Sequence, residues 1–377
     1  MKLLFFQWHS FLNKGMERGL KKLNIEYDTF FYQFSDWEED AVFTERFWKH
    51  LQKTAYSAVL SVNFSPLISG VCEKQGIPYI SWVYDSPVHI RNILPMKNSC
   101  NRIYFFDRGQ AEEYKKQGID ARHMPLAVDT EIFEKAIAKT AKGKYETDIS
   151  LIGKLYQTEY RHFTAPLSGY LRGYLEGIVN SQMKVYGGYL IPELITADLL
   201  EKMNADYDKA SSDGFVMGSR ELEFLLACET TGRERYLALS VLSGRYRVDL
   251  YSADQDTRLK KINFRGYADY YGEMPAIFQR SGINLNISLK TVRTGIPLRV
   301  IDIMGCRGFT LSNYQEELME YFAPGEECAV YENLEDMFLK ADYYLKHEEE
   351  RKKIAAAGFE KVKRDFTFAE RLGKMLL

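Results

Sequence analysis

The sequence predicts an α/β protein built from two doubly wound parallel-sheet domains facing a cleft. Three observations carry that expectation. The chain has 377 residues, short apolar runs alternate with amphipathic helical segments, and a polar stretch separates two such series. A chain of this length exceeds what one hydrophobic core usually serves. Strands separated by helices pair in parallel through right-handed crossovers.

The first series begins with KLLFFQ (2–7), after which HSFLNKG leads into the helical MERGLKKL. AVLSV (58–62), PYISWVY (78–84) and NRIYFFD (101–107) read as strands, with helices through SGVCEKQG and QAEEYKKQG, and ARHMPL closes the series. This gives an N-terminal domain over 1–130. Residues 131–147 are polar, Lys-rich and interrupted by Gly143, and read as a linker. DISLIG (148–153) opens a second domain, 148–360, which carries a mostly helical insert over about 160–245. From residue 246 the strands RVDLYS, INFRG, INLNIS (283–288), GFTLSN and CAVYE alternate with the helices GEMPAIFQRS, PLRVIDIMG, QEELMEYF and EDMFLKADYYLKH. The charged tail is helical, and 361–377 is expected to cross back to the N-terminal domain. Ligands of open α/β sheets sit beyond the carboxyl ends of the strands, so the cleft is the expected site.

Composition narrows the function classes. A net charge of −2 gives no global attraction to nucleic acid, so none is expected as a partner. The 26 Tyr and 23 Phe are core material first and sugar- or base-stacking surfaces second. The five cysteines are dispersed without a C-x-x-C pair, which argues against a disulfide framework and a structural zinc site. MKLLFFQWHSF lacks a signal-peptide apolar region, and no segment approaches the roughly 20 apolar residues that span a bilayer. A cytoplasmic protein without a transmembrane segment is the expectation, with peripheral membrane contact left open.

The chemistry concentrates in residues 283–313. A buried strand ends at Ser288, a basic loop follows, and a helix is expected from Ile296 with Pro297 in its first turn. Such a start offers free N–H groups and the positive end of the helix dipole, and Lys290, Arg293 and Arg299 add charge, which together suit a diphosphate. Asp302, flanked by Val300, Ile301, Ile303 and Met304, either makes a structural contact or accepts hydrogen bonds from a diol such as ribose. A second basic turn holds Gly153, Lys154 and Arg161, where glycine permits close approach of backbone to phosphate. Neither G-x-x-x-x-G-K-[ST] nor G-x-G-x-x-G occurs, which counts against P-loop kinases and standard dehydrogenases. In the first domain Asp85 follows a strand in SWVYDSP and His9 follows KLLFFQ, so either can serve as base or hold an acceptor hydroxyl, while turn chemistry and a structural histidine are the plainer readings. Asp254-Gln255-Asp256 has the D-x-D spacing of a divalent metal site but lies in a Ser/Asp/Thr-rich turn, and an exposed turn is preferred.

GIPLRVIDIMGCRGFTLSNYQEELMEYFAPGEECAVYENLEDM, with ERKKIAAAGFEKVKRDFTFAERL, resembles the CgeB-like (spore maturation protein) branch of group 1 glycosyltransferases. VNFSPLISGVCEKQGIPYISWVYDSP, YFFDR and HMPLAVD are similar to the N-terminal domain of such proteins. The resemblance implies a GT-B fold of two Rossmann-like domains, with a nucleotide-diphosphate sugar in the second, UDP as the favoured nucleotide, and the acceptor against the first. It implies no metal cofactor and an acceptor hydroxyl on a protein or surface glycan. The donor set it implies is Gly153, Lys154, Arg293, Thr294, Gly295, Ile296, Arg299 and Asp302, with Asp302 on the ribose. Related enzymes carry a second acid eight positions earlier, where this chain has Thr294, and a second basic residue where it has Glu159. A glycosyltransferase with Asp85 or His9 at the acceptor is therefore expected, beside two alternatives: a non-catalytic nucleotide-sugar binder and a nucleotide-sugar epimerase.

Overall fold

The computed structural model describes residues 2–211 and 214–376. The described residues form two six-stranded sheets. The first contains β1 (Lys2–Gln7), β2 (Glu26–Phe31), β3 (Ala58–Val62), β4 (Tyr79–Val83), β5 (Asn101–Phe105) and β6 (Ala121–His123), in the order β2-β1-β3-β4-β5-β6. The second contains β7 (Thr147–Ile152), β8 (Val248–Tyr251), β9 (Asn263–Gly266), β10 (Ser281–Asn286), β11 (Thr310–Asn313) and β12 (Ala329–Tyr331), in the order β12-β11-β10-β7-β8-β9. All their pairings are parallel. Both orders are doubly wound, reversing between β1 and β3 in one sheet and between β7 and β10 in the other. These switch points are where open α/β sheets bind ligands.

The central strands follow directly from their sequences. AVLSV and YISWV are buried at every position, as strands covered by helices on both faces must be. Edge strand β2, EYDTFF, has no fully buried residue, and the sequence reading misses it because it carries no buried apolar run. The aromatic excess is largely core: Phe6, Phe30, Phe34, Phe43 and Phe47 interlock, with Phe43 and Phe47 stacked at 5.0 Å. No helix among the described residues is long and apolar enough to cross a membrane.

The chain divides into two compact units. One holds the residues up to Thr130, Thr294–Gly305 and those from Glu360 onward; the other holds Glu131–Arg293 and Cys306–Phe359. In the first, helix Phe368–Leu376 lies against helix Asn13–Lys22 so closely that a Cβ on Gly15 would stand 2.2 Å from the Phe368 ring. The segment expected as a linker carries helix Thr130–Lys139. Helix Leu298–Gly305, which joins β10 to β11 in the chain, is grouped with the first unit. The reason is local: Thr294 and Gly295 are fastened to Asp107, and a Cβ on Gly305 would meet Val128 at 2.5 Å.

Candidate functional site

At the switch point of the second sheet, β7 runs out into Gly153 and Lys154, and β10 into Ile287, Ser288 and Lys290. Gly153 donates its N–H to the Tyr251 carbonyl at 3.0 Å, tying the turn to β8. Lys154 is exposed. The two strand ends are clamped by Arg235, from helix Ser219–Ser243, whose guanidinium donates to the carbonyls of both Lys154 and Ile287 and lies over the Tyr156 ring at 4.7 Å. Arg235 is only 8% exposed. Burial pushes the neighbouring Cys228 thiol up to about 11, and the nearby Lys154 and Arg235 charges offset part of that rise.

Lys290 does not extend toward this turn as a phosphate cation. Its ammonium is buried in an ion pair with Glu234 at 2.8 Å and lies over the Tyr186 ring at 4.6 Å. Tyr186 donates its hydroxyl to the same carboxylate at 2.5 Å. Arg293 remains half-buried, with its guanidinium 5.7 Å from the Tyr189 ring.

The loop before the next helix departs from the expected open cradle. Thr294 donates its hydroxyl to Asp107 Oδ1 at 3.1 Å and accepts from the Gly109 N–H at 2.9 Å. Asp107 also caps helix Arg108–Lys116 by accepting from the Gln110 N–H. Gly295 and Ile296 are buried, and a Cβ on Gly295 would sit 2.8 Å from the Asp107 Cα, so only glycine fits. The helix starts at Leu298, later than expected, and the Pro297 carbonyl accepts from the Val300 N–H. Thr294, Gly295 and Ile296 are thus packed within the first unit. Asp302 is 1% exposed, with Arg299 Nη1 3.8 Å from its carboxylate, so it stands as a buried anchor for that guanidinium.

At the carboxyl ends of the first sheet, Asp85 follows β4 and its Oδ2 accepts from Asn63 Nδ2 at 2.6 Å. Asn63, just past β3, accepts in turn from the Tyr84 N–H. His9, past β1, is exposed and lies edge-on to Phe31 at 5.1 Å. β3 lies between β1 and β4, so both acceptor-side candidates sit beside the first switch point. The D-x-D carboxylates are committed elsewhere: Asp254 accepts from the Leu155 N–H at 2.9 Å, and Asp256 pairs with Arg258, which holds its carboxyl below the usual range.

Sequence reasoning missed Arg235, Glu234, Asn63 and Asp107. A charged Arg-Glu-Arg run in a helix reads as a solvated face. Only the register of Ser219–Ser243 against β7 and the segment after β10 turns Glu234 and Arg235 inward.

Residues 226–376 match a family model described as glycosyl transferase-like. The chain matches no curated protein. Among solved structures, HepE of Anabaena in complex with UDP and glucose aligns with a TM-score of 0.55 at 10% identity, covering 100% of this chain and 99% of that one. Sucrose-phosphate synthase from Thermosynechococcus elongatus gives 0.56 at 11% identity, with coverages of 99% and 98%. The lipopolysaccharide outer core galactosyltransferase WaaB, in its apo form, gives 0.53 at 9% identity, with coverages of 100% and 99%. The chain thus has the two-domain GT-B fold seen in these structures, and residues 226–376 match the glycosyl transferase-like model.

Proposed function

We propose that the chain is a glycosyltransferase, of the CgeB-like branch, that moves a sugar from a nucleotide-diphosphate donor to an acceptor hydroxyl on a protein or surface glycan in the cytoplasm. The observation that carries this reading is the second sheet's switch point, where Arg235 fixes the Gly153-Lys154 turn beside the end of β10. Lys154 and Arg293, both carried by the second unit, meet the diphosphate. UDP is the favoured nucleotide, since HepE was solved with UDP and with UDP-glucose.

The chemical step breaks the bond between the sugar's anomeric carbon and the diphosphate oxygen and forms one to the acceptor oxygen. Negative charge grows on the leaving diphosphate, and fixed cations there lower the barrier without having to reorganise. Asp85, held by Asn63, takes the acceptor's proton or orients its hydroxyl. No metal is required in this scheme.

The test is turnover with UDP-, GDP-, dTDP- and CDP-sugars, comparing the native chain with Asp85→Asn. Turnover should fall at least a hundredfold in the variant while donor affinity stays within twofold; loss of neither removes Asp85 from the acceptor side. A second reading, a non-catalytic binder, is favoured by Thr294 being engaged with Asp107 where relatives carry an acid. Slow hydrolysis of the donor without acceptor separates the two, since a pure binder shows none.

A further inference from the structure

Beneath helix Ser219–Ser243, the second unit contains a cavity of about 650 Å³ that takes in neither Lys154, Arg293 nor Asp302. Small-molecule sites span roughly 300–1,000 Å³, so the space suits a sugar unit with its neighbour. We propose that this cavity, which begins at Leu155 and Tyr156 just past the donor turn, is a saccharide-binding site distinct from the Lys154 diphosphate position and takes a neutral, hydroxyl-rich sugar.

The lining sets the ligand class by charge and by shape. Arg233 makes a two-pronged pair with Glu176 at 2.7 and 2.8 Å and a further bond to Glu229 at 2.7 Å. Arg258 pairs with Asp256 at 2.6 Å. These pairs hold Glu176 and Asp256 below the usual carboxylate range, Arg233 being the first cause for one and Arg258 for the other. With Arg161, the lining holds three guanidinium groups against three carboxylates. An anionic ligand would meet carboxylates and a cationic one guanidiniums, each at a cost. A polyol meets both kinds of planar group as partners, since a diol donates to a carboxylate and accepts from a guanidinium. Tyr156 and Tyr236 are half-buried and contribute flat rings, each with an arginine fixed over it at 4.7 and 4.3 Å. Each ring is held rigid by the arginine over one face, and a sugar's apolar face packs against its opposite face or edge. Exposed Gln157, whose amide donates to the Gln255 carbonyl at 3.0 Å, adds a side-chain amide to the lining.

The site is tested by saturation-transfer NMR on the full chain, with methyl glucoside, methyl galactoside, N-acetylglucosamine and maltohexaose as probes. At least one should receive transfer that excess UDP leaves unchanged. Tyr236→Ala and Gln157→Ala should each weaken that probe at least tenfold. Gln157 is exposed, so its variant keeps the fold, and melting temperatures verify both. Tighter binding of the hexaose than of any single sugar assigns the site to a glycan chain, and equal binding assigns it to a free sugar. Transfer to no probe, full affinity in either folded variant, or displacement by UDP would overturn the proposal. UDP enters only as competitor, so failure of the donor reading and failure of this one give different results.

Discussion

Replacing Arg235 with methionine tests the clamp at the second switch point. The native guanidinium satisfies the carbonyls of Lys154 and Ile287 and covers the Tyr156 ring. Methionine fills most of the same volume but donates nothing. The buried Ile287 carbonyl left without its donor costs about 1–3 kcal/mol and the part-buried Lys154 carbonyl less, and the lost cation–π contact costs about 1 kcal/mol. Relief from burying a charge returns part of this, leaving a net loss of roughly 2–4 kcal/mol. For a unit of this size that is about 5–15 °C in melting temperature. The turn carrying Lys154 also loses its anchor, so UDP affinity should fall about tenfold, or ~1.4 kcal/mol. Scanning calorimetry with and without UDP reads both effects. A melting temperature within 2 °C of native together with unchanged UDP affinity would refute the reasoning.

Three further outcomes are expected. Lys290→Met should destabilise the second unit by about 3–5 kcal/mol in urea unfolding, because it strands Glu234 as a buried charge, whereas the double change with Glu234→Gln should recover most of that loss; equal losses in the two variants would contradict the pair's role. Gly295→Ala should cost about 1–3 kcal/mol because its Cβ meets backbone at Asp107, while Gly173→Ala, where nothing lies within 4 Å, should stabilise helix Gly169–Lys184 by about 0.5–1 kcal/mol; thermal melts of the two variants should shift in opposite directions. Transfer activity should survive EDTA, since Asp254 and Asp256 are bonded to Leu155 and Arg258, and complete loss would return a metal to that turn.

The parts of the fold legible in sequence are those where one physical requirement dominates. β3 and β4 are buried on both faces, so their apolar sequences announce them, while the chain positions of β7, β10 and β11 follow from their alternation with helical segments. β2 answers to no such requirement at a sheet edge and stays hidden. At the candidate site the basic residues are visible but their partners are not. Lys290 reads as a phosphate cation until Glu234, carried on a distant helix, is folded against it. Thr294 reads as part of an open bend, yet its hydroxyl is taken by Asp107, the cap of a helix in the other half of the sequence. Local patterning specifies elements; long-range pairing of buried polar groups specifies which charges remain available to a ligand.

The central claim is that a nucleotide diphosphate sits at the carboxyl ends of β7 and β10. A crystal structure grown with UDP addresses it in one measurement. The diphosphate is expected within hydrogen-bonding distance of Lys154 Nζ, with Arg235 still clamping the Lys154 and Ile287 carbonyls. UDP bound away from Lys154 would contradict it.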